Sequence, residues 1–345
     1  MVNIWDSKFK DQKKFNELLS WFLSKKSYDL NIQGKWFVDL IAHNIVDLYL
    51  NLPKKSNKTY KKKIIEIKKI NSNNYLKRDK NYLKVILEIK KHAQTLKPYL
   101  YDFLIHGSIA TLDYSKGWSD LDTFVIIKNS TLKSSKRLII LRKKILKLEN
   151  CLYKIDPLQH HGFIYCTEYD IKNYNSFLLP TQVLTKSKSL FVNNKFILNY
   201  NRKRKYWKKI LAKTNQLLKD SYKNKLLKHH KYKDKYLLDN FKDKNTMYQM
   251  KYFLSIIMIL PCLYLEAKGQ PCYKKYSFFK TKNLFKKNWE IIDKATKIRL
   301  IWSKKEKHPY KTNNIPQWLI NELGGNYFKR AYLLSKIMLK KVNVN

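Results

Sequence analysis

The stretch Phe103–Asn129, FLIHGSIATLDYSKGWSDLDTFVIIKN, sets two apolar runs around a polar loop, and the reading of the whole chain turns on it. The first run, YLYDFLIH, is β-prone and ends at Gly107; the second, LDTFVIIK, reads as another strand. Side chains two apart on a strand share a face, so Asp120 and Asp122 present neighbouring carboxylates. Like charges held together repel, and a divalent cation between them relieves the repulsion. Alone, Asp-x-Asp describes a solvent-facing strand end just as well. The pair Gly107-Ser108 adds the missing context: glycine lets backbone N–H groups approach an oxyanion and serine supplies a hydroxyl, which suits the outer phosphates of a nucleotide.

Outward from this stretch the pattern is mostly helical. Apolar residues at three- and four-residue spacing predict helices over 13–24 and 35–50, the second stopped by Pro53, and over Tyr82–Leu96, stopped by Pro98. The lysine-dense segment 54–70 between them reads as a solvated connection, with a basic helix face or a phosphate-tracking surface as alternatives. Beyond the second strand, Arg137–Glu149 predicts a helix, and LYKIDPLQHHGFIYC, 152–166, one or two further strand segments. After about residue 195 four long amphipathic segments predict a helical bundle. The expected fold class is α+β, a core with a short mixed sheet at 99–195, flanked by a helical N-terminal region at 1–98 and a C-terminal bundle at 196–345.

The 345 residues carry 72 Lys+Arg against 26 Asp+Glu, a formal charge of +46 that attracts polyanions such as nucleic acid or an anionic membrane. The excess is nearly all lysine amid abundant Asn, Ile, Tyr and Phe, which AT-rich coding also produces. Tyr60, Tyr206 and Tyr222, among lysines, are candidate stacking platforms for a nucleic-acid end. Cys151, Cys166, Cys262 and Cys272 show no CxxC spacing, so free thiols in a reducing, cytoplasmic compartment are expected. The apolar run Tyr252–Ala267 is short of the ~20 residues of a membrane span and contains Pro261, so it reads as a buried helix and no transmembrane segment is expected.

The order strand, Gly-Ser, loop, Ser-Asp-apolar-Asp resembles the nucleotidyltransferases of the DNA polymerase β-like superfamily, through Gly107, Ser108, Ser119, Asp120, Leu121 and Asp122. Compact minimal members usually carry an arginine after the Gly-Ser and a glycine where Leu112 stands; this chain has Ile109 and Leu112 there. The resemblance covers about a tenth of the chain. It implies an α/β nucleotidyltransferase core that transfers a nucleoside monophosphate from an NTP such as ATP to an acceptor hydroxyl, releasing pyrophosphate. It also implies Mg²⁺, as two ions, with Mn²⁺ as a substitute, and Gly107 and Ser108 on the β- and γ-phosphates. A third carboxylate on a neighbouring strand would complete the metal site. Asp156 stands in the right segment, but Pro157 disfavours a central strand there, and His161 or His160 is the alternative third ligand. Lys274, Lys275 and Ser277, after the apolar helix, resemble the way helical domains of this superfamily close over the triphosphate. RNA or DNA is one acceptor class; a noncatalytic nucleic-acid-binding protein on a degenerate core is the competing reading.

Overall fold

The structure, a computed structural model, describes residues 11–24, 27, 34–53, 61–156, 158–159, 161–201, 203–224, 246–306 and 314–343. Tyr60, Pro157 and His160 lie outside the described residues. The chain divides into two units, Met1–Tyr114 with Ser119–Arg202, and Ser115–Trp118 with Lys203–Asn345.

The first unit is a mixed sheet with helices. Helices α1 (Gln12–Leu23), α2 (Lys35–Leu50) and α3 (Ser72–Gln94) are interleaved with strand β1 (Lys61–Lys69). Strand β2 (Leu100–His106) follows, then the one-turn helix α4 (Gly107–Thr111), strand β3 (Asp122–Ile127) and helix α5 (Ser135–Glu149). Strand β4 (Ile164–Thr167), helix α6 (Glu168–Lys172) and strands β5 (Tyr174–Asn175), β6 (Lys188–Ser189) and β7 (Asn194–Asn201) complete it. The strand order is β4-β3-β2-β6-β1-β7-β5. β2 runs antiparallel to β3 and β6, β1 antiparallel to β7, and β3 and β4 are parallel.

Period-two alternation fills both faces of this sheet. Phe103, Ile105, Val125 and Ile127 join the large core with residues of α1, α2, α3 and α5, while Leu104, Phe124, Ile126 and Cys166 join a second core with Ile65, Ile67, Phe196 and Leu198. Three charged groups buried in this unit are anchored. Asp102, on β2, accepts from Ser189 Oγ, Phe103 N–H and Asn194 Nδ2 and so ties together three strands. Asp170 closes a capping box with Thr167 and takes Gln12 Nε2 and Asn16 Nδ2 from α1, which fastens that helix to the sheet. Arg142, buried on α5, donates to Phe22 O and Ser27 O at the end of α1.

Two boundaries differ from those read in the sequence. Residues 1–98 do not form a separate helical region: they share a unit with the sheet and supply β1. Within the lysine-dense segment, Ile65 and Ile67 point into the core while Glu66 and Lys68 face outward, so Lys61–Lys69 is a strand rather than a solvated connection. The core also runs past 195, because β7 extends to Asn201 and pairs along β1.

The second unit is helical: α7 (Arg204–Asn224), α8 (Met247–Ala267), α9 (Lys274–Lys282), α10 (Glu290–Lys305), α11 (Gln317–Leu323) and α12 (Tyr327–Asn343). α8 starts from a Thr246–Gln249 capping box and packs against α7, α9, α10 and α12. Among the described residues it is the one helix long and apolar enough to cross a membrane, and 78% of its apolar window is buried inside the protein. The short segment Ser115–Trp118, from the loop between the two motif strands, belongs to this unit: Trp118 meets the buried Trp302 edge-on, ring centroids 5.0 Å apart. All four cysteines are free; Cys151 and Cys166 are buried, and Cys262 and Cys272 are partly exposed.

Candidate metal centre

The antiparallel register of β2 and β3 sets His106 directly opposite Asp122. The chain therefore leaves β2 at Gly107 just beside the first residue of β3. Gly107 takes φ +68°, and a Cβ there would overlap Asp122 Oδ2, so only glycine allows the turn to lie against this carboxylate. The short helix that follows ends at Leu112, which holds φ 58° and ψ 22°, a left-handed conformation costly for a branched side chain. The turn thus ends on a strained leucine.

The third group arrives on the parallel neighbour. β4 pairs with β3 from Phe124↔Ile164 onward, so the residues just before β4 lie at the same end of the sheet as Asp120 and Asp122. His161 Nε2 stands 3.0 Å from Asp122 Oδ1 and 3.5 Å from Asp120 Oδ2. Ligand atoms of Asp120, Asp122 and His161 all lie within 4.8 Å of one another, and each side chain keeps about a fifth of its surface accessible. The two acids therefore converge, as their spacing predicts.

Gln159, buried behind them, fixes this geometry. Its Oε1 accepts from Leu121 N–H and its Nε2 donates to Leu121 O, both at 3.3 Å, which clamps the peptide between the aspartates. Those two bonds also set the orientation of the amide. His161 Nδ1 lies 3.1 Å from Gly162 O and 3.2 Å from Gln159 Nε2. Gln159 Nε2 can only donate, whereas a ring wedged between two carboxylates carries both protons, so Nδ1–H donates to the Gly162 carbonyl and Nε2 faces the acids. Burial opposes charge on this imidazole, but the hydrogen bonds and charges of Asp120 and Asp122 outweigh it and its pKa is pushed up to about 10. A proton on Nε2 thus sits where a cation would bridge the three groups.

His106 is a second imidazole at this end of the sheet. It is 5% exposed, its Nε2 has no hydrogen-bond partner among the described residues, and burial holds it below the ordinary imidazole range despite the pull of Asp122 and Asp120. Two oxygen donors and one nitrogen donor, an approach that only glycine permits, and an unpaired ring nitrogen beside them together fit a divalent cation.

Asp156, read from the sequence as a third ligand, is not one of the three converging groups. It ends the one-turn helix Leu152–Ile155, is fully buried, and its Oδ1 accepts from Leu158 N–H at 3.0 Å. The strand that would carry it to the metal end begins only at Ile164. Lys274, Lys275 and Ser277 open α9 in the second unit. Ser277 is fully buried and its hydroxyl donates to Lys274 O at 2.6 Å, which commits it to the first turn of the helix. Gln159 and His106 escaped the sequence reading. Gln159 has no motif, whereas His106 continues the alternation of β2 that places Leu104 and its partner Phe124 on one face.

Comparison of the chain with family models, with curated proteins and with solved structures finds no match.

Proposed function

We propose that the protein is a metal-dependent nucleotidyltransferase that moves a nucleoside monophosphate from an NTP to an acceptor hydroxyl. The observation that carries this reading is the convergence of Asp120, Asp122 and His161 at the sheet end where the Gly107-Ser108 turn begins. In the reaction a bond forms between the acceptor oxygen and the α-phosphorus, the bond to the β-phosphate bridging oxygen breaks, and pyrophosphate leaves. A divalent cation held by Asp120, Asp122 and His161 would neutralise charge on the triphosphate and lower the pKa of the attacking hydroxyl. The chain's own part is positional. Gly107 brings the backbone of the turn against Asp122, Ser108 follows it in the short helix α4, and Gln159 keeps the aspartates and the imidazole in one frame.

The test is incubation with each α-labelled NTP and an extract of RNA, protein and metabolites, with Asp120→Asn and Asp122→Asn as controls. Labelling by the native chain that both variants lose is the expected result. Equal labelling by the variants would remove the assignment. The charge of +46 favours a second reading, a noncatalytic nucleic-acid-binding protein on this core. That protein would bind RNA or DNA while showing no affinity for an NTP with a divalent cation.

A further inference from the structure

We propose that the centre selects a first-row transition dication, with Mn²⁺ as its working probe, over Mg²⁺. This rests on the reading of Asp120, Asp122 and His161 as a metal centre and specifies what that centre takes.

The donor set favours such an ion. Mg²⁺ is hard, demands near-octahedral oxygen coordination and gives up its waters reluctantly, whereas imidazole nitrogen suits first-row transition ions. Three carboxylates around the ion would offer Mg²⁺ three negative oxygens. Here the third group is a ring nitrogen, 3.0 Å from one aspartate oxygen and 3.5 Å from the other, and it adds no negative charge once its proton leaves.

His161 is also held as a ligand would be. Its Nδ1–H is spent on the Gly162 carbonyl, so that when a cation displaces the Nε2 proton the lone pair left there faces the carboxylates. Gln159 ties the same short segment to both backbone groups of Leu121, the residue between the two acids. An imidazole that merely neutralised two aspartates would need neither support.

His106 stands at the same end of the sheet. Its Nε2 is buried without a partner among the described residues, and the residue stands directly opposite Asp122 in the β2–β3 register. An unpaired ring nitrogen is costly to bury, and a hydrated cation at this end of the sheet would offer it a water to bond. His106 stands outside the group of three, so its part is to support the bound ion, not to replace a ligand.

The experiment uses the full chain stripped of metal with a chelator. Free Mn²⁺ is followed by its electron paramagnetic resonance signal during titration, then Mg²⁺ is added in competition. One Mn²⁺ per chain is expected, with less than half displaced by about a hundredfold excess of Mg²⁺. Displacement of half the Mn²⁺ by an equal concentration of Mg²⁺ overturns the selectivity and leaves a metal centre standing. Failure of both ions to bind removes the metal centre, and the proposed enzyme with it. His161→Asp supplies a third oxygen, so its Mn²⁺-over-Mg²⁺ preference should drop about tenfold or more. An unchanged preference in that variant would show that the imidazole does not set the choice.

Discussion

Gly107 and Asp122 are packed so closely that a Cβ on the glycine would overlap the aspartate's Oδ2. The contact joins the end of β2 to the start of β3 through the register pair His106↔Asp122. Gly107→Ala therefore acts twice: it puts alanine at φ +68°, a cost of about 1–3 kcal/mol, and it pushes the carboxylate off its position. The expected outcome is a folded protein with a lowered melting temperature and a loss of metal affinity of about tenfold or more. Calorimetry for the fold and Mn²⁺ titration for the site check the two effects separately; unchanged affinity would mean that the contact does not position Asp122.

His161 gives the stability a definite pH dependence. Its pKa in the metal-free fold is about 10, above the unfolded value of about 6.5. A raised pKa means that the protonated ring stabilises the fold fully below about 6.5 and that this contribution fades as pH rises through about 10. The melting temperature of the native chain should thus fall over that window more than that of His161→Gln. Parallel pH profiles would refute the ion-bridged imidazole.

A metal ion competes with that same proton. Binding at neutral pH should release close to one proton per ion, and metal affinity should rise with pH. Calorimetric titrations of Mn²⁺ in two buffers of different ionisation enthalpy measure the release directly. If no proton appears, His161 is not a ligand.

The sequence made the helices and the two central strands legible because their apolar periods are long and clean. The predicted helix over 35–50 coincides with α2, Lys35–Leu50, and the two motif strands fall where β2 and β3 lie. β1 was hidden by its lysines: only Ile65 and Ile67 carry the period-two signal, and the surrounding positive charge reads as solvated chain. Two members of the centre, Asp120 and Asp122, announce themselves by spacing. The third does not, since the choice between Asp156 and His161 depends on where β4 begins, and that is settled by pairing with β3 rather than by any local pattern. Gln159 acts through contacts to the backbone of a residue 38 positions away, which no short motif encodes. The loop tip was equally opaque, because Trp118 finds its partner Trp302 in the other half of the chain.

Asp170 holds α1 against the sheet through four donors: Gln12 Nε2, Asn16 Nδ2, Thr167 N–H and Thr167 Oγ. Burial raises its pKa, but those bonds pull the other way, so the site is built for a carboxylate. Asp170→Ala leaves the donors buried and unpaired at a cost on the order of 3 kcal/mol, which denaturant unfolding would register as a shifted midpoint. Because the candidate metal centre lies at the start of β3 and in the segment before β4, Mn²⁺ affinity at low temperature should hardly change.

Trp118 carries the last prediction. It is 3% exposed, meets Trp302 edge-on, and follows Gly117, whose φ of +71° lets the chain turn against the Trp302 ring. Truncating a buried tryptophan typically costs about 3–5 kcal/mol, and the Trp302–Trp318 contact behind it loses its neighbour. Trp118→Ala should therefore destabilise the helical unit, seen as an earlier loss of its near-ultraviolet tryptophan signal on heating. Trp118→Phe keeps an aromatic edge on Trp302 and should recover most of that stability. If alanine and phenylalanine behave alike, the loop tip is not held by this aromatic pair.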